Sequence, residues 1–280
     1  MVLSDCVFEF VNFKNVNNNC DAYYKMEKIH ENSQDNPEIP ATEDTEEERG
    51  KDVFLYSDPD EKEGNEADKQ LINYKNLISK EIKNVEILDS EQKNFDLNFK
   101  TILIGNTGVG KSCLSLKATK GIFKEDFTST LGFEFFSFNV KINDKIIKLQ
   151  IWDTCGQEIY RSLIAGFYRS SSLAIMVYSV IDKQSFEDID IWLKQVRTHG
   201  SPESKIFLIG NKADLPNRVV SAEDGIKCKE ENQMECFMET SAKTGFNTRE
   251  LFVNGAIALY LEHIKYMNEE GRNNGDEEDN

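Results

Sequence analysis

The sequence predicts an α/β fold in which a six-stranded, mostly parallel sheet is covered by helices on both faces. Two observations predict it: apolar runs of strand length alternate with longer amphipathic segments, and polar motifs directly follow several of the apolar runs. Polar side chains that follow parallel strands meet at the carboxyl edge of the sheet, where ligands bind in such folds. The predicted strands are residues 99–104, 133–142, 146–152, 173–179, 205–210 and 235–240. The predicted helices are residues 111–119, 158–168, 184–198, 221–231 and 247–265.

The first predicted strand leads into a glycine-rich loop. Residues 105–112 read GNTGVGKS and fit the pattern G-x-x-x-x-G-K-[ST] between a strand and a helix, which is typical of the phosphate-binding loop of a P-loop NTPase fold. Glycines let backbone N–H groups surround an anion, the lysine brings positive charge to the β- and γ-phosphates, and the serine hydroxyl can bind Mg²⁺. The pattern supports nucleotide binding without identifying the base. The residues assigned to the nucleotide here are Gly105, Thr107, Gly108, Val109, Gly110, Lys111, Ser112 and Cys113.

The second and third predicted strands are flanked by residues suited to Mg²⁺ and to hydrolysis. Asp153 directly follows the third strand and can hold a water bound to Mg²⁺, and the Thr130 hydroxyl, just before the second strand, can bind the metal itself. We therefore expect a metal site formed by Ser112, Thr130 and Asp153. Gly156 leaves room for backbone contact with a terminal phosphate, and Gln157 is placed to orient the attacking water.

Two later motifs predict that the base is guanine. The strand at 205–210 ends in NKAD, and the Asp214 carboxylate can accept from both the ring N–H and the exocyclic amine of guanine. Adenine has no such pair of donors on that edge, so it would leave the carboxylate unpaired. The turn TSAK at residues 240–243 can donate a backbone N–H to the guanine O6. The residues assigned to the base are Phe123, which could cover one face, and Asn211, Lys212, Asp214, Ser241, Ala242 and Lys243.

Residues from about 98 to 265 resemble a Ras-superfamily small GTPase of the Rab type. Six stretches carry the resemblance in the family's order and spacing: GNTGVGKSC, STLGFEF, WDTCGQE, GFYRSSSLAIMVYSV, IGNKADL and METSAKT. The resemblance implies a small G domain that binds GTP or GDP with Mg²⁺ and hydrolyses GTP slowly with water oriented by Gln157. It implies a molecular switch in vesicle trafficking. It also implies exchange factors, GTPase-activating proteins and effectors that contact Phe123–Ile142 and Asp153–Arg169.

The same resemblance puts three aromatic residues where Rab proteins contact effectors, namely Phe135, Trp152 and Phe167. The alternative is that all three are core residues. The sequence departs from the family at Cys155, where alanine is usual, and at Thr107, where small residues are usual.

Two other functions remain open from the sequence. A P-loop phosphotransferase would share the loop at 105–112 but would have no use for NKAD at 211–214. A GTP-binding scaffold or pseudo-GTPase with little hydrolysis, acting through its N-terminal extension, is the stronger alternative. Intact Thr130, Asp153 and Gln157 count against the scaffold, and Cys155 counts for it.

The net charge of −17 lies in the flanks of the chain. Residues 1–97 carry 24 acidic and 11 basic side chains, residues 268–280 carry 6 and 1, and the remainder is nearly balanced. We expect an acidic, mostly disordered extension over 1–97, a G domain over 98–267 and an acidic disordered tail over 268–280. Acidic flanks argue against nucleic acid and anionic membrane surfaces as partners.

Within the extension, apolar residues at helical spacing predict a helix at 69–87. That helix would pack on the G domain, bind a partner helix or be unstructured alone. The last cysteine is Cys236, so no prenylation site can be read from the sequence, and we expect no direct lipid anchor. We expect a cytoplasmic protein that protein partners recruit to endomembranes.

Overall fold

The computed structural model describes residues 80–89, 92–125, 132–154 and 166–275, with side chains described as far as Glu269. Seven strands and five helices lie wholly within the described residues. The strands are β1 (Val85–Leu88), β2 (Leu97–Ile104), β3 (Phe133–Ile142), β4 (Lys145–Thr154), β5 (Leu173–Ser179), β6 (Lys205–Asn211) and β7 (Cys236–Glu239). The helices are α1 (Lys111–Lys120), α2 (Lys183–Glu187), α3 (Ile189–His199), α4 (Ala222–Glu231) and α5 (Thr248–Gly275).

All seven strands belong to one sheet, in the order β1-β3-β4-β2-β5-β6-β7. The strands from β4 to β7 in that order are parallel to their neighbours, whereas β3 is antiparallel to β4. The carboxyl ends of five strands and the amino end of β3 therefore lie along one edge. This arrangement confirms the predicted mixed, mostly parallel sheet and brings the polar motifs to a common edge.

Helices cover both faces of the sheet, because successive side chains of a strand point to opposite faces and apolar side chains lie on both. On one face, Ile102 and Ile104 of β2 belong to a buried cluster with Trp192, Leu193 and other residues of α3. On the other face, α1 and α5 pack against each other and against β3 and β4. Parallel strands buried on both faces require apolar residues at consecutive positions, and all seven side chains of β5 are buried. Among the described residues, none of the helices combines the length and apolar character needed to cross a membrane.

One strand, β1, was not predicted from the sequence. It pairs antiparallel with β3 and makes the sheet seven-stranded. Lys80 and Glu81 are helical, but residues 85–88 are extended, so the predicted helix at 69–87 is wrong at its carboxyl end. Residues 69–79 lie outside the described residues. Val85 fits the predicted helical stripe, but Val85 and Ile87, two positions apart, fit the alternation of a strand, and the unpaired backbone groups at the edge of β3 favour the strand.

Two helix boundaries also differ from the predictions. The helix predicted at 184–198 is two helices that meet at Asp188, which ends α2 and precedes α3. The last helix extends to Gly275, so residues 268–275 are not the disordered tail predicted from their composition. Each further residue in an established helix adds a backbone hydrogen bond without a new nucleation cost, and no proline interrupts this one. Of the helix predicted at 158–168, only its last three residues, 166–168, are described, and they are helical.

The turn between β3 and β4 holds the segment that leads into β1. Asn143 has a φ of 53°, a left-handed conformation that asparagine tolerates better than most residues. Its Oδ1 accepts from the backbone N–H of Lys83 at 2.8 Å, and its Nδ2 donates to the carbonyl of Glu81 at 2.6 Å. Its own N–H donates to the carbonyl of Asn84 at 2.9 Å. One turn residue thus fixes the chain just before β1.

Asn143→Gly should therefore loosen β1 while keeping the turn, because glycine accepts the same φ but has no amide to bond residues 81–84. We expect the free energy of unfolding to fall by about 1–2 kcal/mol. Amide hydrogen exchange should accelerate in residues 85–88 more than in β5. Asp144→Ala, at the exposed neighbouring position, is the matched control. Unchanged exchange in β1 of the Asn143→Gly protein would contradict this account.

Candidate functional site

The loop after β2 takes a shape that requires glycine at two positions. Gly105 has a φ of 136°, and a Cβ there would lie 2.1 Å from the carbonyl oxygen of Val177 in β5. Gly110 has a φ of 100°, and a Cβ there would lie 2.4 Å from Nδ2 of Asn211 in β6. Both approaches are too short for any side chain. The loop is therefore closely packed against the ends of two neighbouring strands.

Lys111 is the first residue of α1, and its side chain folds back over the loop. Its Nζ donates to the carbonyl oxygens of Gly105 and Asn106, each at 2.8 Å. The side chain is buried, so the ammonium is held beside the loop backbone rather than in bulk water. This arrangement presents a fixed positive charge and the amino end of a helix on the same side of the loop, a combination suited to anions.

Ser112 and Asp153 meet directly, which links the loop to the end of β4. The Ser112 hydroxyl donates to Oδ2 of Asp153. The other carboxylate oxygen, Oδ1, is buried and has no hydrogen-bond partner among the described residues. A buried carboxylate oxygen beside a serine hydroxyl fits the donor set that Mg²⁺ prefers, since that ion binds oxygen ligands.

Asp153 lies in an environment that opposes its ionisation. Burial raises its pKa to about 6, against the lowering effects of the Ser112 hydrogen bond and the Lys111 charge. Glu134, its partner in the β3–β4 pairing, adds a further raising effect. A cation bound at Oδ1 would favour the ionised form and would offset the cost of burial.

The segment after β6 is joined to both the phosphate loop and the segment after β7 through Asn211. Its Nδ2 donates to the carbonyl of Val109 at 2.8 Å. Its Oδ1 accepts from the Thr240 hydroxyl at 3.2 Å and from the N–H of Ala242 at 3.3 Å. One buried amide therefore fixes three loops relative to one another.

Asp214 and Ser241, two residues assigned to the base, are in contact. The Ser241 hydroxyl donates to Oδ1 of Asp214 at 2.6 Å, and the same hydroxyl accepts from the N–H of Thr244 at 3.1 Å. This orients the Asp214 carboxylate at the exposed edge of the site. Lys212, with a φ of 66°, makes the turn that brings Asp214 there.

The remaining predicted site residues are less closely connected. Thr107 and Gly108 are exposed at the tip of the loop, and Phe123 is half-buried after α1. Lys243 forms an exposed ion pair with Glu125, with Nζ and Oε1 3.1 Å apart. Burial raises the pKa of the half-buried Cys113, so its thiol stays protonated at neutral pH. Four residues singled out in the sequence lie outside the described residues: Thr130, Cys155, Gly156 and Gln157.

An aromatic cluster lies on the sheet next to this site. Phe135 is 48% exposed and packs edge-on against Trp152, with ring centroids 5.5 Å apart. Trp152 also contacts Phe167 at 5.5 Å. Sequence reasoning missed a fourth member, Phe133, which is 49% exposed and contacts both Trp152 and Phe167. Its position two residues before Phe135 on a strand was the available signal, because such residues share a face. An exposed aromatic cluster of this kind is typical of a protein-binding surface.

Comparisons with known proteins agree with this geometry. A sequence model of the Ras family matches residues 100–260. The chain is 41% identical over 170 residues to Ras-related protein RABA1b of Arabidopsis thaliana, covering 60% of this chain and 78% of that protein. It is 39% identical to Ras-related protein RABA1c, over 61% of this chain and 78% of that protein, and 40% identical to Ras-related protein RABA1h, over 60% and 78%, both from the same plant.

The raised pKa of Asp153 predicts a pH-dependent stability for the protein in chelator. Because the folded pKa of about 6 exceeds the unfolded value near 3.8, this group's contribution to stability falls as the pH rises through that window. Asp153→Asn removes the cost of ionising this buried carboxyl. The free energy of unfolding of the variant minus that of the parent should therefore rise by about 1 kcal/mol from pH 5 to pH 7.5. Denaturant titrations at both pH values, with the exposed Asp144→Asn as control, measure this. A difference between parent and Asp153→Asn that does not change with pH would contradict the assignment.

Proposed function

This chain belongs to the Ras family, as a small GTPase of the Rab type, and from that premise we propose that it binds GTP and GDP with Mg²⁺, hydrolyses GTP slowly and acts as a molecular switch in vesicle trafficking. The observation that carries the proposal is the amide of Asn211, which bonds the phosphate loop at Val109 and the segment after β7 at Ala242. A nucleotide with its phosphates over Lys111 would then have its base near Asp214 and Ser241.

Each part of the proposed site has one task. Lys111 and the backbone of the loop would bind the phosphates, and the Ser112 hydroxyl and Asp153 would hold Mg²⁺, whose charge offsets that of the phosphates. Asp214, oriented by Ser241, would accept from the guanine ring N–H and its exocyclic amine. We further propose that Thr130 and Gly156 contribute to Mg²⁺ and the terminal phosphate, and that Gln157 orients the water that cleaves it.

For partners, we propose that exchange factors, GTPase-activating proteins and effectors contact Phe123–Ile142 and Asp153–Arg169. The exposed Phe135 and Phe133 support this, because aromatic side chains in contact with Trp152 give a partner a large apolar surface to bury. The membrane-traffic role of the family leads us to propose that protein partners bring this protein to endomembranes from the cytoplasm.

Base selection is tested by Asp214→Asn. An amide in place of the carboxylate mismatches the donor edge of guanine, so GTP affinity should fall on the order of 1–3 kcal/mol. Xanthosine triphosphate, which has a carbonyl where guanine has its amine, should bind the variant better than GTP does. Competition titrations with GTP, xanthosine triphosphate and ATP on parent and variant measure both effects. Equal GTP affinity in the two proteins would remove guanine selection from Asp214.

Hydrolysis is tested by Gln157→Leu, which keeps the bulk of the side chain and removes its amide. Single-turnover release of phosphate should slow while GTP still binds, whereas Ser112→Asn should weaken nucleotide or Mg²⁺ binding itself. A Gln157→Leu protein that releases phosphate at the parental rate would assign the water to another group. A parent that binds GTP but shows no turnover would favour the scaffold alternative instead.

A further inference from the structure

The side chain of Asn106, the second residue of the phosphate loop, is hydrogen-bonded to one residue just before α3 and to one residue within α3. Its Nδ2 donates to Oδ2 of Asp188 at 2.6 Å, and its Oδ1 accepts from Nε1 of Trp192 at 2.9 Å. The phosphate-loop pattern leaves this position open to any residue, and nothing in it predicts the two contacts. The amide therefore makes one hydrogen bond as a donor and one as an acceptor.

Both partners of Asn106 are themselves fixed. Trp192 is one of the largest fully buried side chains and belongs to the core cluster on that face. Asp188 precedes α3, but its carboxylate makes no hydrogen bond to the helix it caps. Its Oδ1 instead accepts from Nε2 of Gln184 at 2.9 Å, and its Oδ2 accepts from Asn106. The carboxylate is thus used to hold the loop rather than the helix.

The backbone carbonyl of Asn106 also helps to hold the Lys111 ammonium, the charge that would face the phosphates. Its carbonyl oxygen is one of the two that accept from Nζ of Lys111. The side chain of Asn106 is hydrogen-bonded to Asp188 and Trp192, and its carbonyl oxygen is hydrogen-bonded to the Lys111 ammonium. A shift of this residue would displace Lys111 as well.

We propose that Asn106 is a positioning residue for nucleotide binding, which acts by holding the phosphate loop and the Lys111 ammonium in place through Asp188 and Trp192. This inference rests on the proposed function, since it takes the loop to bind GTP and GDP. Only a side chain with one donor and one acceptor at this length satisfies both partners: Trp192 offers a donor, and Asp188 offers an acceptor. Aspartate would keep the bond from Trp192 but would bring two carboxylates together.

The test exchanges the two groups. Asn106→Asp should release a fluorescent GDP analogue faster, on the order of tenfold, because it sets one carboxylate against another next to the phosphates. Asp188→Asn alone is measured as the second single variant of the double-mutant cycle, because an amide oxygen can still accept from Asn106. The double variant Asn106→Asp with Asp188→Asn restores one amide facing one carboxylate in reversed order, and its release rate should return to within about threefold of the parent. Asp190→Asn removes the same charge from the first turn of α3 and is the control.

Each result decides the matter. Release at the parental rate by Asn106→Asp, or release by the double variant as fast as by Asn106→Asp, would overturn the positioning role. If Asn106→Asp does not fold, a folded double variant that retains GDP supports the role, and one that does not fold or does not retain GDP overturns it. A parent that binds no guanine nucleotide would sink the proposed function, whereas a parent that binds it with rates indifferent to the exchange would sink only this inference.

Discussion

The buried carboxylate of Asp153 is the group on which the rest of the site depends. It lies one residue before the end of the central strand β4 and is fully buried, so its charge needs partners within the protein or in a ligand. Ser112 and Lys111 supply two of these, and both lie at the start of α1, where the phosphate loop delivers them. Oδ1, which has no hydrogen-bond partner among the residues that the structure describes, can bind a cation. The same contacts that join the loop to β4 at this edge therefore also form the site that we propose for a metal and an anion.

Most of the fold could be predicted because strand length, apolar runs and turn residues act locally. The strands β3 and β5 have the predicted ends, and Ser221 with Asp224 forms a capping box at the start of α4, near its predicted start. β1 could not be predicted, since Val85 fits both a helical stripe and a strand and only the open edge of β3, distant in sequence, decides. The continuation of α5 was missed because its composition resembles that of disordered segments.

The candidate site could likewise be predicted only in part. Motifs identified Lys111, Asp153 and Asn211, and the structure brings their loops together at one sheet edge. The partners of Asn106 could not be read from the sequence, because Asp188 and Trp192 lie more than 80 positions away and their contacts depend on how α3 packs. The exposed Phe133 belongs to a strand pattern that the sequence did show, yet its degree of burial depends on Trp152 and Phe167 from other segments.

The central claim is that this sheet edge binds a guanine nucleotide with Mg²⁺. Its most direct test is to purify the full chain in Mg²⁺, denature it and identify the released nucleotide by chromatography and mass spectrometry. The account predicts GDP or GTP at close to one per chain, retained in Mg²⁺ and lost faster in chelator. Adenine nucleotide in its place, or a folded protein that carries none and takes up neither GDP nor GTP when supplied, would contradict it.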